Sequence, residues 1–326
     1  MYFAFFLFMN RTLKTLFLIW VSISIADAQD RVSQQTITLF DSTRNRKLVT
    51  EIWQPAEKTA AELPLIMFSH GTGGNRLACS WFCEGLASKG FIVAAVDHFG
   101  NTYDNPIPKE FVSIWKRPQD ISFVLSQLLN EKQTALKIKT SEIFAAGFSL
   151  GGYTSLALAG AIIDANELIK FFRTPEGKRE IDIPEMPGLI KLFEQDSIIM
   201  EFKNNSDLKD KRIQGVFVMA PAVGQGFTSR SQMKGIDVPV SIVGVIGDSI
   251  APIKTNASHY KNLIPNAEWH AVEGNAGHYV FLNVGNDELK KIAPVYFTDA
   301  EGVNRAKIHA QVLLQAEKFF NGFSGH

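Results

Sequence analysis

Ile143-Phe144-Ala145-Ala146-Gly147-Phe148-Ser149-Leu150-Gly151-Gly152-Tyr153 passes from an apolar run, through a glycine-flanked serine, into a segment with helical periodicity. A short apolar run closed by glycine reads as a strand covered on both faces. A serine between such a strand and a helix, with glycine two positions before and two after, sits on a turn so sharp that those neighbours press on other backbone. Gly147 and Gly151 meet that demand because they carry no Cβ. The turn displays a hydroxyl at the end of a strand, which makes Ser149 the candidate nucleophile.

Outward from this turn, period-two or apolar runs bounded by Gly, Pro and Asp predict strands at 36–40, 48–53, 65–69, 91–97, 143–147, 213–219, 240–246 and 268–272. Helical periodicity covers 80–89, 118–129, 152–161, 257–263 and 305–320. Strands alternating with helices imply βαβ crossovers: an α/β fold with a mostly parallel, eight-stranded sheet flanked by helices, its first two strands a hairpin at one edge. Functional side chains then belong at the strands' carboxyl ends. Residues 162–212 break the rhythm with helix-like patches separated by Pro175, Pro184 and Pro187. A structureless loop of that length is improbable inside a compact domain. The expectation is a small helical cap inserted into one domain spanning 29–326. Its Phe171, Phe172, Leu189, Ile190, Leu192 and Phe193 either line an acyl pocket or fasten the cap to the body.

A serine hydroxyl attacks only once a base removes its proton, and the base needs an acid to orient it. His278, in the loop Gly274-Asn275-Ala276-Gly277-His278-Tyr279 after the last predicted strand, is the candidate base. His270 lies within that strand, and His309 and His326 fall on or after the final helix. Asp248 follows the strand 240–246 and is the candidate acid; Asp97 ends a different strand, and Glu273 is close to His278 along the chain. Acyl transfer also requires donors for a developing oxyanion. The amide after the nucleophile, Leu150, is one; Thr72, in Ser69-His70-Gly71-Thr72-Gly73-Gly74, is the choice for the other. Arg76 stands where a dinucleotide-binding loop has its third glycine, which removes that reading.

Of the 326 residues, 46% are hydrophobic and 20% charged, enough apolar surface for a sizeable core. Lys plus Arg and Asp plus Glu both total 33. There is no basic excess for nucleic acid phosphates or an anionic membrane, and a small neutral substrate fits better. No HExxH or CxxC motif is present, and the chemistry calls for no metal or organic cofactor. Cys79 and Cys83 either form a disulfide or pack as free thiols. At the N-terminus, Arg11 and Lys14 precede the apolar run Leu16 to Ile25 and then Ala26-Asp27-Ala28. That is the layout of a secretory signal peptide, residues 1–28, with Met9 a more typical start than Met1. The apolar run, about 11 residues, is short of the roughly 20 that a spanning helix needs. The expected location is periplasmic or secreted, with no stable membrane span after cleavage; the oligomeric state is open.

Several stretches resemble the dienelactone-hydrolase-like and platelet-activating-factor-acetylhydrolase-like branch of α/β hydrolases, over about residues 60–321. They are Phe68-Ser69-His70-Gly71 with Gly73-Gly74, Leu86-Ala87-Ser88 with Gly90-Phe91, Val96-Asp97-His98 with Gly100, Arg117-Pro118 with Asp120, Gly147 through Gly152, Gly277-His278-Tyr279, and the late Asn304-Arg305 with His309 and Phe319-Phe320. The resemblance implies the α/β-hydrolase fold, a triad of Ser149, Asp248 and His278, and an oxyanion hole from the amides of Thr72 and Leu150. The expected activity is hydrolysis of carboxylic esters through an acyl-enzyme, on short-chain or small-molecule esters. The alternatives are a lipase- or phospholipase-like hydrolase of longer acyl esters, and a noncatalytic binding protein on the same fold. Two departures matter. Dienelactone hydrolases proper use cysteine as nucleophile, so Ser149 argues against that substrate. Animal acetylhydrolases place the acid after the preceding strand, where this chain has Ala220-Pro221, so Asp248 must serve.

Overall fold

Along Leu65-Ile66-Met67-Phe68 successive side chains enter different cores: Leu65 and Met67 join one apolar cluster, Ile66 and Phe68 the other. The same alternation sends Val216 and Val218 one way and Phe217 and Met219 the other. This is the period of two of a strand, here in a sheet buried on both faces, which is why these strands read as unbroken apolar runs.

The computed structural model describes residues 32–57, 60–130, 135–205 and 207–323. The expected signal segment, 1–28, lies outside them, as does His326. Eight strands form one sheet: β1 (Val32–Asp41), β2 (Arg46–Pro55), β3 (Leu63–Ser69), β4 (Ile92–Val96), β5 (Ile138–Phe148), β6 (Gly215–Met219), β7 (Val240–Val245) and β8 (Glu268–Val272). Their spatial order is β1-β2-β4-β3-β5-β6-β7-β8. β1 and β2 are the expected antiparallel edge hairpin, β2 meets β4 antiparallel, and the remaining neighbours are parallel. The sheet has the α/β-hydrolase arrangement, and each predicted strand is present.

Helices α1 (Ser80–Ala87), α2 (Lys116–Leu128) and α3 (Leu150–Ala159) follow β3, β4 and β5. α2 and α3 pack on the face holding Leu65, and α1 on the face holding Phe68. α3 starts directly after Ser149, two residues earlier than glycine-rich sequence suggests. The close approach of the turn to neighbouring backbone outweighs the poor helix propensity of Gly151 and Gly152.

Between α3 and β6 the chain makes four short helices: α4 (Ala165–Phe172), α5 (Pro175–Ile181), α6 (Ile190–Phe193) and α7 (Asp196–Asn204). The starts of the first two are written in the sequence. The Asp164 carboxylate accepts from the Asn166 and Glu167 amides, the Thr174 hydroxyl accepts from Gly177 N–H, and Pro175 takes a first-turn position where no N–H is needed. Buried Leu168, Ile169, Phe172, Phe193, Ile198 and Phe202 join the core on the α3 face. After β7 comes α8 (Ala257–Leu263), and α9 (Arg305–Asn321) closes the face that holds α1.

Candidate active site

Ser149 stands between β5 and α3 at φ 56° and ψ −120°. A non-glycine residue held in such a region costs on the order of 1–3 kcal/mol and persists only when its surroundings over-determine it. They do so here. Ser149 N–H donates to Met219 O (2.9 Å) and its carbonyl accepts from Ala222 N–H (3.0 Å), tying the turn to the end of β6. A Cβ on Gly147 would run into the Gly151 carbonyl, and one on Gly151 into that of Ser69. Both glycines are therefore sterically required, as the opening sequence suggested.

The structure brings Ser149, His278 and Asp248 together from the ends of three strands. Ser149 Oγ lies 2.8 Å from His278 Nε2, and His278 Nδ1 lies 2.6 Å from Asp248 Oδ2. A carboxylate only accepts, so Nδ1 carries the ring proton and Nε2 is left to accept from the Ser149 hydroxyl. The second Asp248 oxygen accepts from the amides of Ile250 (2.9 Å) and Ala251 (2.8 Å), fixing the carboxylate. All three side chains are buried from bulk water.

His278 opens a single helical turn, His278–Phe281, held from two sides. From α1, Trp81 Nε1–H donates to Phe281 O (2.7 Å). From α9, His309 Nε2–H donates to Val280 O (2.8 Å) while its ring stacks on Trp81 with centroids 3.9 Å apart. Burial lowers the His309 pKa to about 4, so the ring is a neutral donor at physiological pH. Arg305 adds a bond from its guanidinium to Asn283 O (3.0 Å). The last helix thus braces the loop that carries His278.

Thr72 and Leu150 both face the same cavity as Ser149 and His278. The bonds of the serine turn use the N–H groups of Ser149, Gly152 and Tyr153, and among the described residues neither Leu150 N–H nor Thr72 N–H meets a protein acceptor. Thr72 is fixed by its neighbours: Gly71 packs against Phe148 and Ser149, and Gly73 N–H donates to Asn101 Oδ1 (3.2 Å). Behind the loop, Asn101 Oδ1 also accepts from Arg117 (3.0 Å), whose guanidinium further donates to His70 O, to Ser69 Oγ (3.2 Å) and to Thr154 Oγ1 on α3 (3.3 Å). Burial lowers the Arg117 pKa to about 9, which leaves the group charged at neutral pH. Sequence reading assigned no role to Asn101, and Arg117 entered only through the shared Arg117-Pro118-x-Asp120 stretch.

A second chain of the same three side-chain types lies next to the first. Ser69 Oγ is 2.9 Å from His98 Nε2, and His98 Nδ1 is 3.1 Å from Asp120 Oδ2. Ser69, His98 and Asp120 are sealed from solvent, none lines the cavity, and Asp120 is engaged by Arg44 (2.9 Å) and Arg46 (2.8 Å). This set links the β1–β2 hairpin to the ends of β3 and β4.

The cavity holds about 800 Å³. From α4 to α6 it is lined by Phe172, Ile181, Leu189 and Phe193. Phe171, Ile190 and Leu192 pack against the core without lining the cavity, whereas Phe172, Leu189 and Phe193 do both. Among other residues considered, Asp97 is taken by Arg76 (2.6 Å to its amide, 2.7 Å to its guanidinium), Glu273 is exposed, and His270 sits in β8. Cys79 and Cys83 are buried free thiols whose pKa values burial raises. Among the described residues, no helix is long and apolar enough to cross a membrane.

Sheet order and the serine turn at the end of β5 define an α/β hydrolase. Residues 22–103 match the family described as platelet-activating factor acetylhydrolase, isoform II. One relative, the platelet-activating factor acetylhydrolase of Cavia porcellus, is 52% identical over 46 residues, a match spanning 14% of this chain and 11% of that protein. Among solved structures, the ferulic acid esterase of Streptomyces cinnamoneus superposes with a TM-score of 0.59 at 18% identity, over 90% of each chain. The chain has the α/β-hydrolase fold, and over residues 22–103 it is similar to the platelet-activating factor acetylhydrolases.

Proposed function

We propose that this protein is an exported serine hydrolase of carboxylic esters. The single observation that carries the reading is the hydrogen-bond chain from Ser149 Oγ through His278 to Asp248, opening on a mostly apolar cavity. As Ser149 Oγ attacks the ester carbonyl carbon, His278 Nε2 takes the hydroxyl proton, and Asp248 stabilises the resulting imidazolium through Nδ1–H. Negative charge collects on the former carbonyl oxygen, where the Leu150 and Thr72 amides donate to it. Collapse breaks the bond to the alcohol oxygen, which receives the proton from Nε2. A water molecule then attacks the acyl-enzyme with His278 again as base, releasing the acid and restoring Ser149.

Phe172, Ile181, Leu189 and Phe193 form an apolar wall suited to an acyl group of a small ester. The likeness to an acetylhydrolase and to a ferulic acid esterase fits an ester substrate. Export rests on the charged and apolar layout of residues 1–28. The test is a p-nitrophenyl ester series with the wild type and Ser149→Ala. Wild type should prefer the shorter acyl groups and react with a fluorophosphonate probe, and Ser149→Ala should lose about 10³-fold or more in kcat/KM and all labelling. A Ser149→Ala protein that still turns over these esters at the wild-type rate rules the mechanism out.

A further inference from the structure

The reacting centre lies in a cavity whose charged lining has one sign. Among the described residues that line it, the acidic side chains are Glu180 and Glu185, and neither lysine nor arginine is present. Glu185, between α5 and α6, is the closer to the chemistry. Its Oε1 accepts from the hydroxyl of Tyr279, the residue after His278, at 2.8 Å. On its other side, the Cβ and Cγ of Glu185 stand 3.0 and 3.1 Å from where a Cβ of Gly73 would be, beside Thr72 of the oxyanion loop. The Glu185 side chain therefore meets both loops, its carboxylate the one carrying the base and its aliphatic stem the one carrying an oxyanion donor. Glu180 is held further along the same wall by Thr255 (3.0 Å) and Asn256 (3.4 Å).

Glu185 is half-buried at the wall of a mostly apolar cavity, where a charge is screened less than in open water and is felt across several ångströms. A substrate carboxylate entering this space would lose its hydration and meet Glu185 with no cationic side chain to compensate. A neutral acyl chain meets only the apolar wall, and a cationic one finds a partner. Resting on the esterase reading above, we propose that Glu185 is a specificity-determining residue that makes the site select neutral or cationic esters and reject esters bearing an anionic acyl group.

Matched substrates test this: p-nitrophenyl hexanoate, mono-p-nitrophenyl adipate and p-nitrophenyl 6-(trimethylammonio)hexanoate, each rate divided by its rate of hydroxide hydrolysis. Wild type should cleave the neutral ester with a kcat/KM about tenfold or more above that of the anionic one. Glu185→Gln keeps the shape and an oxygen that can accept from Tyr279, and removes the charge. It should narrow the neutral-to-anionic ratio by about tenfold and lower the relative rate of the cationic ester. The ratio is the readout because a common loss of fold or turnover cancels in it. Tyr279→Phe removes the tether and leaves the charge, so it should retain discrimination against the adipate ester. Equal wild-type efficiency on the neutral and anionic esters, or an unchanged ratio in Glu185→Gln, overturns the proposal. Failure of wild type to cleave any of the three, or full activity in Ser149→Ala, instead overturns the esterase reading.

Discussion

Ser149 occupies a backbone conformation that glycine would adopt without strain, and the carbonyls around Gly147 and Gly151 leave it no other. Strain of this kind is the stability cost of displaying the hydroxyl. Ser149→Gly should therefore abolish ester cleavage and raise thermal stability by on the order of 1 kcal/mol, read as an upward shift of the unfolding midpoint. A lowered midpoint would contradict strain at this residue. The comparison with Ser69, His98 and Asp120 shows what the residue scale alone cannot decide. That trio has nearly the same spacings, 2.9 and 3.1 Å against 2.8 and 2.6 Å, yet it lies outside the cavity and its acid is bound by two arginines. Access to substrate distinguishes the two sets.

At the scale of elements, the site is assembled from loops that other elements hold in place. α1 and α9 clamp the turn of His278, while Asn101 and Arg117 hold the loop of Thr72 from behind. Asn101→Ala frees the Gly73 amide and one arm of Arg117 without touching the cavity wall. Its expected effect is a fall in kcat of about tenfold with KM changed much less, since a misplaced oxyanion donor is felt mainly in the transition state. Steady-state kinetics on a short p-nitrophenyl ester would show it, and a rise in KM at constant kcat would refute the assignment. Of the four helices α4 to α7, the first two owe their starts to local signals, Asp164, Thr174 and Pro175, which are readable in the sequence. Which of their apolar residues face the cavity was not readable there. Phe171 and Phe172 are adjacent and equally apolar, and only the docking of α4 turns Phe172 inward.

Across the whole molecule, burial of neutral imidazoles couples stability to pH. Desolvation holds His70 and His98 well below the ordinary histidine range and His309 at about 4. Unfolded, each titrates near 6.5, so below about that pH the unfolded chain binds protons that the folded chain refuses. Stability is thus full above about pH 6.5 and declines as pH falls toward the folded values, each ring approaching a slope of about 1.4 kcal/mol per unit. Burial also raises the carboxyls of Asp97, Glu180 and Glu185, whose contribution has the opposite sign. Urea unfolding followed from about pH 7 to pH 5.5 should show a falling midpoint, and a flat profile would mean that the rings are not buried as neutral groups. The sequence by itself determined the eight strands, their alternation with helices, the serine turn and the positions of Asp248 and His278, because periodicity, glycine placement and strand ends are local features of a chain. Only the tertiary structure decided that Ser149, rather than Ser69, opens on a cavity, that Asn101 and Arg117 brace the loop of Thr72, and that Glu185 lines the same cavity. Those outcomes depend on which surfaces meet after packing, and contacts between distant residues leave no periodic mark in the sequence.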